Sequence, residues 1–198
     1  MVGIKPFKGL LYNIKAVKNA GLVLAPPYDV ISPAERDILY KKHRANVVRL
    51  ILGKEFPSDT SSNNKYTRAK NDLNAWIKDG ILAIDKEPAF YIYEQVYSIK
   101  GVKKVRTGFL ARMKLKEHGR KGVMPHEKTL AKPKKDRLKL IKQVKANLSP
   151  IFSTYFDKSG AVAAVLKKAK AGTPYIDASA DGVRHRLWRM TDKKAQAA

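Results

Sequence analysis

Apolar and polar positions along the chain fall into recognisable periods, and these predict most of its elements. Leu22-Val23-Leu24-Ala25 reads as a short buried strand stopped by Pro26-Pro27, with Tyr28 to Ile31 as the loop that follows. Ser32 then offers an N-cap, Pro33 a first helical residue and Glu35 the return half of a capping box, so a helix is expected from Pro33 to about Lys42. Asn46 to Leu52 is rich in strand-forming residues and mostly apolar, and predicts a buried strand. After the polar loop 55–64, the residues Tyr66, Ala69, Leu73, Trp76 and Ile77 recur at helical spacing, with Gly80 as the stop.

Phe90 to Ser98 and Val105 to Leu115 alternate about Lys100-Gly101, which predicts a β-hairpin. Its aromatics, Phe90, Tyr91, Tyr93, Tyr97 and Phe109, resemble a base-stacking platform. Alternation puts Phe90 and the tyrosines on opposite faces, however, and so favours two-sided burial. A Gly/Pro/Lys loop over 119–133 leads into a helix over 134–146, its stripe marked by Leu138, Ile141 and either Val144 or Lys145. Further expectations are a strand at 151–156, a helix at 161–171, a strand at 182–190 and a disordered tail at 193–198. The reading is therefore an α+β fold: a single domain over 1–192, a mixed sheet with a central β-hairpin, and flanking helices.

Composition narrows the options. The 198 residues are 44% hydrophobic, enough for a core, and the absence of cysteine excludes disulfides, thiolate metal sites and a Cys nucleophile. No apolar run approaches the roughly 20 residues of a membrane helix, and no signal-peptide pattern opens the chain, so a cytoplasmic protein without a membrane partner is expected. Charge is the strongest signal. The net charge is +24, and residues 100–145 alone hold 17 basic and 3 acidic side chains. Such a field concentrates phosphates and nucleic acids.

The densest chemistry lies in GVMPHEKTLAKPKKDRLKLI, residues 122–141, where one carboxylate, Glu127, stands among His126, Lys128, Lys132, Lys134, Lys135 and Arg137. Several cations at the start of a helix oppose its macrodipole, and a bound anion would offset them. On that argument Lys132, Lys134 and Arg137 are candidate phosphate ligands and Thr129 a hydroxyl donor. Glu127 is the candidate general base or Mg2+ ligand beside a nucleotide, with His126 contacting phosphate or orienting it. Tyr28 and Asp29, fixed behind two prolines, and Asn46 and Arg49 are supporting candidates. The competing reading from the same residues is a non-enzymatic nucleic-acid-binding module using 100–145. His-Glu-Lys-Thr-Leu at 126–130 lacks the second histidine of a zincin, and neither a Walker A loop nor a dinucleotide fingerprint occurs.

Six segments occur in order: Pro26-Pro27-Tyr28-Asp29-Val30-Ile31-Ser32, Asn46-Val47-Val48-Arg49-Leu50, Phe90-Tyr91-Ile92-Tyr93-Glu94-Gln95, His126-Glu127-Lys128-Thr129, Pro133-Lys134-Lys135-Asp136-Arg137-Leu138 and Asn147-Leu148-Ser149-Pro150-Ile151-Phe152. Together they resemble the Domain of Unknown Function 1015 family over about residues 5–192. Members of that family are typically about twice this length and carry a downstream Asp-Gly-His-His-Arg segment similar to that of ParB-like proteins, among which are nucleotide-binding partition proteins and a free-serine kinase. The resemblance implies a ParB-like fold and nucleotide or phosphate chemistry, that of a nucleotide-dependent phosphotransferase which is inactive in this short form if the downstream half completes the site. Asp181-Gly182-Val183-Arg184-His185-Arg186 echoes that segment without matching it. The chain thus looks like the N-terminal part of a family protein, with a separate chain as the expected source of the rest.

Overall fold

The computed structural model describes residues 3–115, 123–124 and 130–197. Its contacts divide the chain into two compact units, one of Met1–Leu11, Ile84–His126 and Phe152–Ala198, the other of Tyr12–Ala83 and Glu127–Ile151. Helices and antiparallel ladders coexist, which makes the protein α+β.

The first unit is built on a four-stranded sheet of β4 (Phe90–Ile99), β5 (Val102–Leu110), β7 (Ile176–Ala180) and β8 (Val183–Met190), in the order β5-β4-β8-β7. Every ladder in it is antiparallel, so the expected mixed sheet is corrected to an antiparallel one. Both of its hairpins close through two residues at positive φ, Lys100 (50°) and Gly101 (77°) in one, Asp181 (50°) and Gly182 (78°) in the other. That geometry matches the right-handed twist of paired strands. The predicted β4–β5 hairpin is present, while β7 was missed: Ile176-Asp-Ala-Ser-Ala carries few strand-forming side chains. Short β1 (Ile4–Lys5) pairs with β6 (Arg112–Met113).

Helix α6 (Ala161–Ala169) covers one face of the sheet. There Phe90, Ile92, Leu166, Trp188 and Met190 form the core, with Phe109 packed against it. On the other face Tyr91 is capped locally: its hydroxyl accepts the Gly9 N–H at 2.6 Å and donates to Asp85 at 2.7 Å. A Cβ on Gly9 would lie 2.7 Å from the Tyr91 ring, so only glycine fits there. Ile151 to Phe156, expected as a strand, has no ladder among the described residues and is exposed, Phe156 at 97%. Aromatic content favours a pleated surface only where a neighbouring strand completes it. Residues Lys193–Ala197, expected within the disordered tail, form a short helix, α7, whose Gln196 side chain donates to Met190 O at 2.8 Å.

The second unit is helical. It contains α1 (Ile14–Val17), a 3-10 turn (Ala20–Leu22), α2 (Pro33–Lys42), α3 (Val48–Ile51), α4 (Lys65–Lys78) and α5 (Ala131–Val144). Strands β2 (Leu10–Tyr12) and β3 (Leu82–Ile84) carry the chain between the units. The capping box expected at Ser32 is formed, with both reciprocal bonds to Glu35. Two expected strands are absent. Leu22-Val23-Leu24-Ala25 leaves the 3-10 turn as irregular chain, and the Asn46–Leu52 segment turns helical at α3. One side chain explains both. Asn46 is wholly buried and donates to the Leu22 and Leu24 carbonyls at 2.8 and 2.9 Å, while its oxygen accepts from the Val48 N–H at 3.0 Å. This latch satisfies the backbone polar groups that a strand would have used for pairing, and it starts a helical turn in a β-branched sequence.

Candidate active site on the fifth helix

Helix α5 starts at Ala131, three residues earlier than the sequence suggested. Its N-cap is Leu130, which gives no side-chain hydrogen bond, so the free N–H groups of the first turn have no capping oxygen from that position. Lys132 and Lys134 lie in this first turn and are exposed. Arg137 lies in the next turn, whereas the expected helix start at 134 would put it in the first. The buried stripe is also corrected. Leu138 and Ile141 are 52% and 43% exposed, while Leu140 and Val144 are buried and Pro133, Asp136 and Arg137 are half-buried. Asp136 and Arg137 thus share the inner face of α5 with Leu140 and Val144.

Asp136 is the hub of that face. One carboxylate oxygen accepts from the Tyr66 hydroxyl at 2.8 Å and from Lys65 Nζ at 2.9 Å. The other accepts from Arg137 Nε at 3.0 Å and from Arg137 Nη2. Burial works to raise the Asp136 pKa, but the bonds from Lys65, Arg137 and Tyr66 outweigh it and hold it at about 2. Burial likewise works to lower that of Lys65, and its bonds to Glu55 and Asp136 leave it raised. Lys65 and Tyr66 are delivered here by the Asn64 cap of α4, whose side-chain oxygen accepts from the N–H groups of Tyr66 and Thr67 at 3.0 and 3.2 Å.

Arg137 is held on a second side by Tyr28, whose ring centroid lies 3.9 Å from the guanidinium carbon. Two candidates far apart in sequence therefore meet. Pro26-Pro27 sets the direction of the chain, and the Val30 N–H closes a turn on Pro27 O at 3.2 Å, leaving Tyr28 half-buried and Asp29 exposed. With Nε and Nη2 committed to Asp136 and the flat face committed to Tyr28, Arg137 retains Nη1, which is buried and has no hydrogen-bond partner among the described residues.

The remaining candidates are placed differently. Asn46 serves the buried latch. Arg49 lies 4.3 Å from the centroid of the Tyr40 ring and donates to Tyr40 O at 3.1 Å. His126, Glu127 and Thr129 lie outside the described residues. Among the described residues no group of three potential metal ligands occurs, and no helix is long and apolar enough to cross a membrane. The sequence reading missed Lys65, Tyr66 and the central role of Asp136. The available signal was the single acid embedded in Lys134-Lys135-Asp136-Arg137, which must satisfy its own neighbours first.

The fold and this cluster define an α+β protein with an arginine-centred basic helix face. The chain belongs to the family described as Protein of unknown function (DUF1015), which matches residues 4–198. No curated protein and no solved structure matches it.

Proposed function

We propose that this chain is a ParB-like domain that binds a nucleotide or other phosphorylated small molecule over the N-terminal half of α5, as part of a small-molecule phosphotransferase. The observation that carries the reading is Arg137: fixed by Asp136 and Tyr28, it retains one unpaired Nη1 donor, on a helix whose N-cap residue gives no side-chain hydrogen bond. A preorganised guanidinium loses little side-chain entropy when it takes up a phosphate oxygen. Lys132 and Lys134 supply further positive charge in the first turn, where the N–H groups of Ala131 and Lys132 suit an anion, Pro133 having none and that of Lys134 bonding Leu130 O.

In this reading Mg2+ accompanies the nucleotide, and the sequence assigns Glu127 as its ligand or as the base. As base, Glu127 takes the proton of the acceptor hydroxyl while that oxygen bonds to the terminal phosphorus and the nucleoside diphosphate leaves. His126 and Thr129 orient the carboxylate and the phosphate.

Thermal unfolding with ATP, ADP and CTP at millimolar concentration, with and without Mg2+, tests the proposal. At least one nucleotide should give saturable stabilisation, reaching about 2.7 kcal/mol at a hundredfold excess over Kd. Lys134→Ala, at an exposed position, should weaken that binding without loss of fold. With Glu127 as the base, Glu127→Gln should leave nucleotide binding largely intact and lose phosphotransfer. If no nucleotide or inorganic pyrophosphate shifts unfolding, the reading is overturned.

A further inference from the structure

We propose that the face of the four-stranded sheet opposite α6 binds single-stranded nucleic acid, by stacking bases on Tyr93 and Tyr97 beside Arg106. The register fixes which side chains share this face. Tyr97 stands opposite Lys104, Gln95 opposite both Arg106 and His185, and Tyr93 opposite Gly108. Directly opposed residues of a ladder point the same way, and α6 packs on the residues of the other parity. Tyr93, Tyr97 and His185 are half-buried, while Lys104 and Arg106 are exposed.

The geometry suits flat ligands. The Tyr93 and His185 rings are inclined by only 15°, with centroids 6.0 Å apart and a 2.6 Å hydrogen bond between the Tyr93 oxygen and Nδ1. With the hydroxyl spanning the gap, the rings lie side by side and extend one another instead of covering one another. Burial lowers the His185 pKa, which favours the neutral ring at pH 7. Gly108 leaves a bare slot beside Tyr93: a Cβ built there would meet nothing within 4 Å. Arg106 borders the slot. Gln95 Oε1 accepts from its Nε and Nη2 at 3.0 and 2.6 Å, and its guanidinium carbon lies 5.8 Å from the Tyr97 ring centroid and 5.6 Å from that of Phe152.

Charge selects the occupant. Between Gln95 and Leu115 the chain has six basic residues and no acid, so the strand bordering this face meets a polyanion without repulsion. Partly exposed rings beside cations suit unpaired bases, whose flat surfaces a duplex keeps stacked inside.

Fluorescence anisotropy with labelled oligothymidine and oligouridine of about 12 nucleotides tests this at moderate salt. Tight binding of either supports the proposal, and the ratio shows which sugar the face accepts. Gly108→Val fills the slot with a residue suited to a strand, and both it and Tyr97→Ala should weaken binding about tenfold or more, the loss of a stacked base. Arg106→Ala should reduce the salt dependence by about one phosphate contact. Lys103→Ala, on the α6 side of the same strand, should change affinity by about twofold at most. Unfolding of each variant confirms that it remains folded. The proposal is overturned if Gly108→Val binds like wild type, if a duplex of equal length binds as tightly, or if Lys103→Ala loses as much as Arg106→Ala. These variants lie in the first unit and the nucleotide-site variants in or assigned to the second, so failure of one proposal is distinguishable from failure of the other.

Discussion

Asp136 sits among three donors, and its ionisation is coupled to folding. Its folded pKa of about 2 lies below the ordinary 3.8, so its contribution is fully present above about pH 4 and is lost as pH falls toward 2. Allowing for solvent screening at a half-buried site, that contribution is about 1 kcal/mol. Urea unfolding of wild type and Asp136→Asn across this range should show the wild-type advantage at pH 7 shrinking by about two thirds of that amount at pH 2.5. A constant difference would mean that the carboxylate's charge is not what Lys65 and Arg137 require. The role of Asp136 was only half legible in the sequence. An acid between cations signals neutralisation, but Lys65 and Tyr66 lie 71 and 70 positions away by sequence number and only packing brings them in. Asn46 shows the same limit, because nothing local to it names the Leu22 and Leu24 carbonyls.

Helices announced by their own ends were legible. Ser32-Pro33 with Glu35 specifies the start of α2 through neighbours three residues apart, and the structure forms that box. Helix α5 lacks such an end, and its start and inner face were both misread. Leu138 and Ile141 drew the apolar stripe outward, while Asp136 and Arg137 satisfied one another on the inside. The contrast between these helices makes a prediction. Leu130 is 74% exposed and caps nothing, so Leu130→Asp should supply the missing acceptor and offset Lys132 and Lys134. A gain of about 1 kcal/mol in thermal unfolding is expected. The same carboxylate would compete with a phosphate for those N–H groups, so nucleotide stabilisation should fall in this variant. For strands, the β4–β5 hairpin was legible from alternation around Lys100-Gly101. The residues at 46–52 and 151–156 had the composition of strands without partners, and β7 had a partner without the composition.

For the whole molecule, the net charge of +24 acts on stability apart from any ligand. Like charges repel within a compact chain, and salt shortens the reach of that repulsion to about 10 Å at 0.1 M. Raising sodium chloride from about 0.02 to 0.5 M should therefore raise Tm by about 2–6 °C. A fall in Tm would show that ion pairs such as Arg68–Asp59 and Arg184–Asp177 outweigh the repulsion. The charge is also placed where the fold is exposed to self-association. Strand β5 lies at the sheet's edge, with Val102 and Val105 55% and 57% exposed and Lys103, Lys104 and Arg106 interleaved. An open edge of this kind can recruit another copy of the same strand, and a row of cations keeps like strands apart. Acetylating those lysines would remove much of that guard, leaving a valine-bearing ribbon from which aggregates could grow.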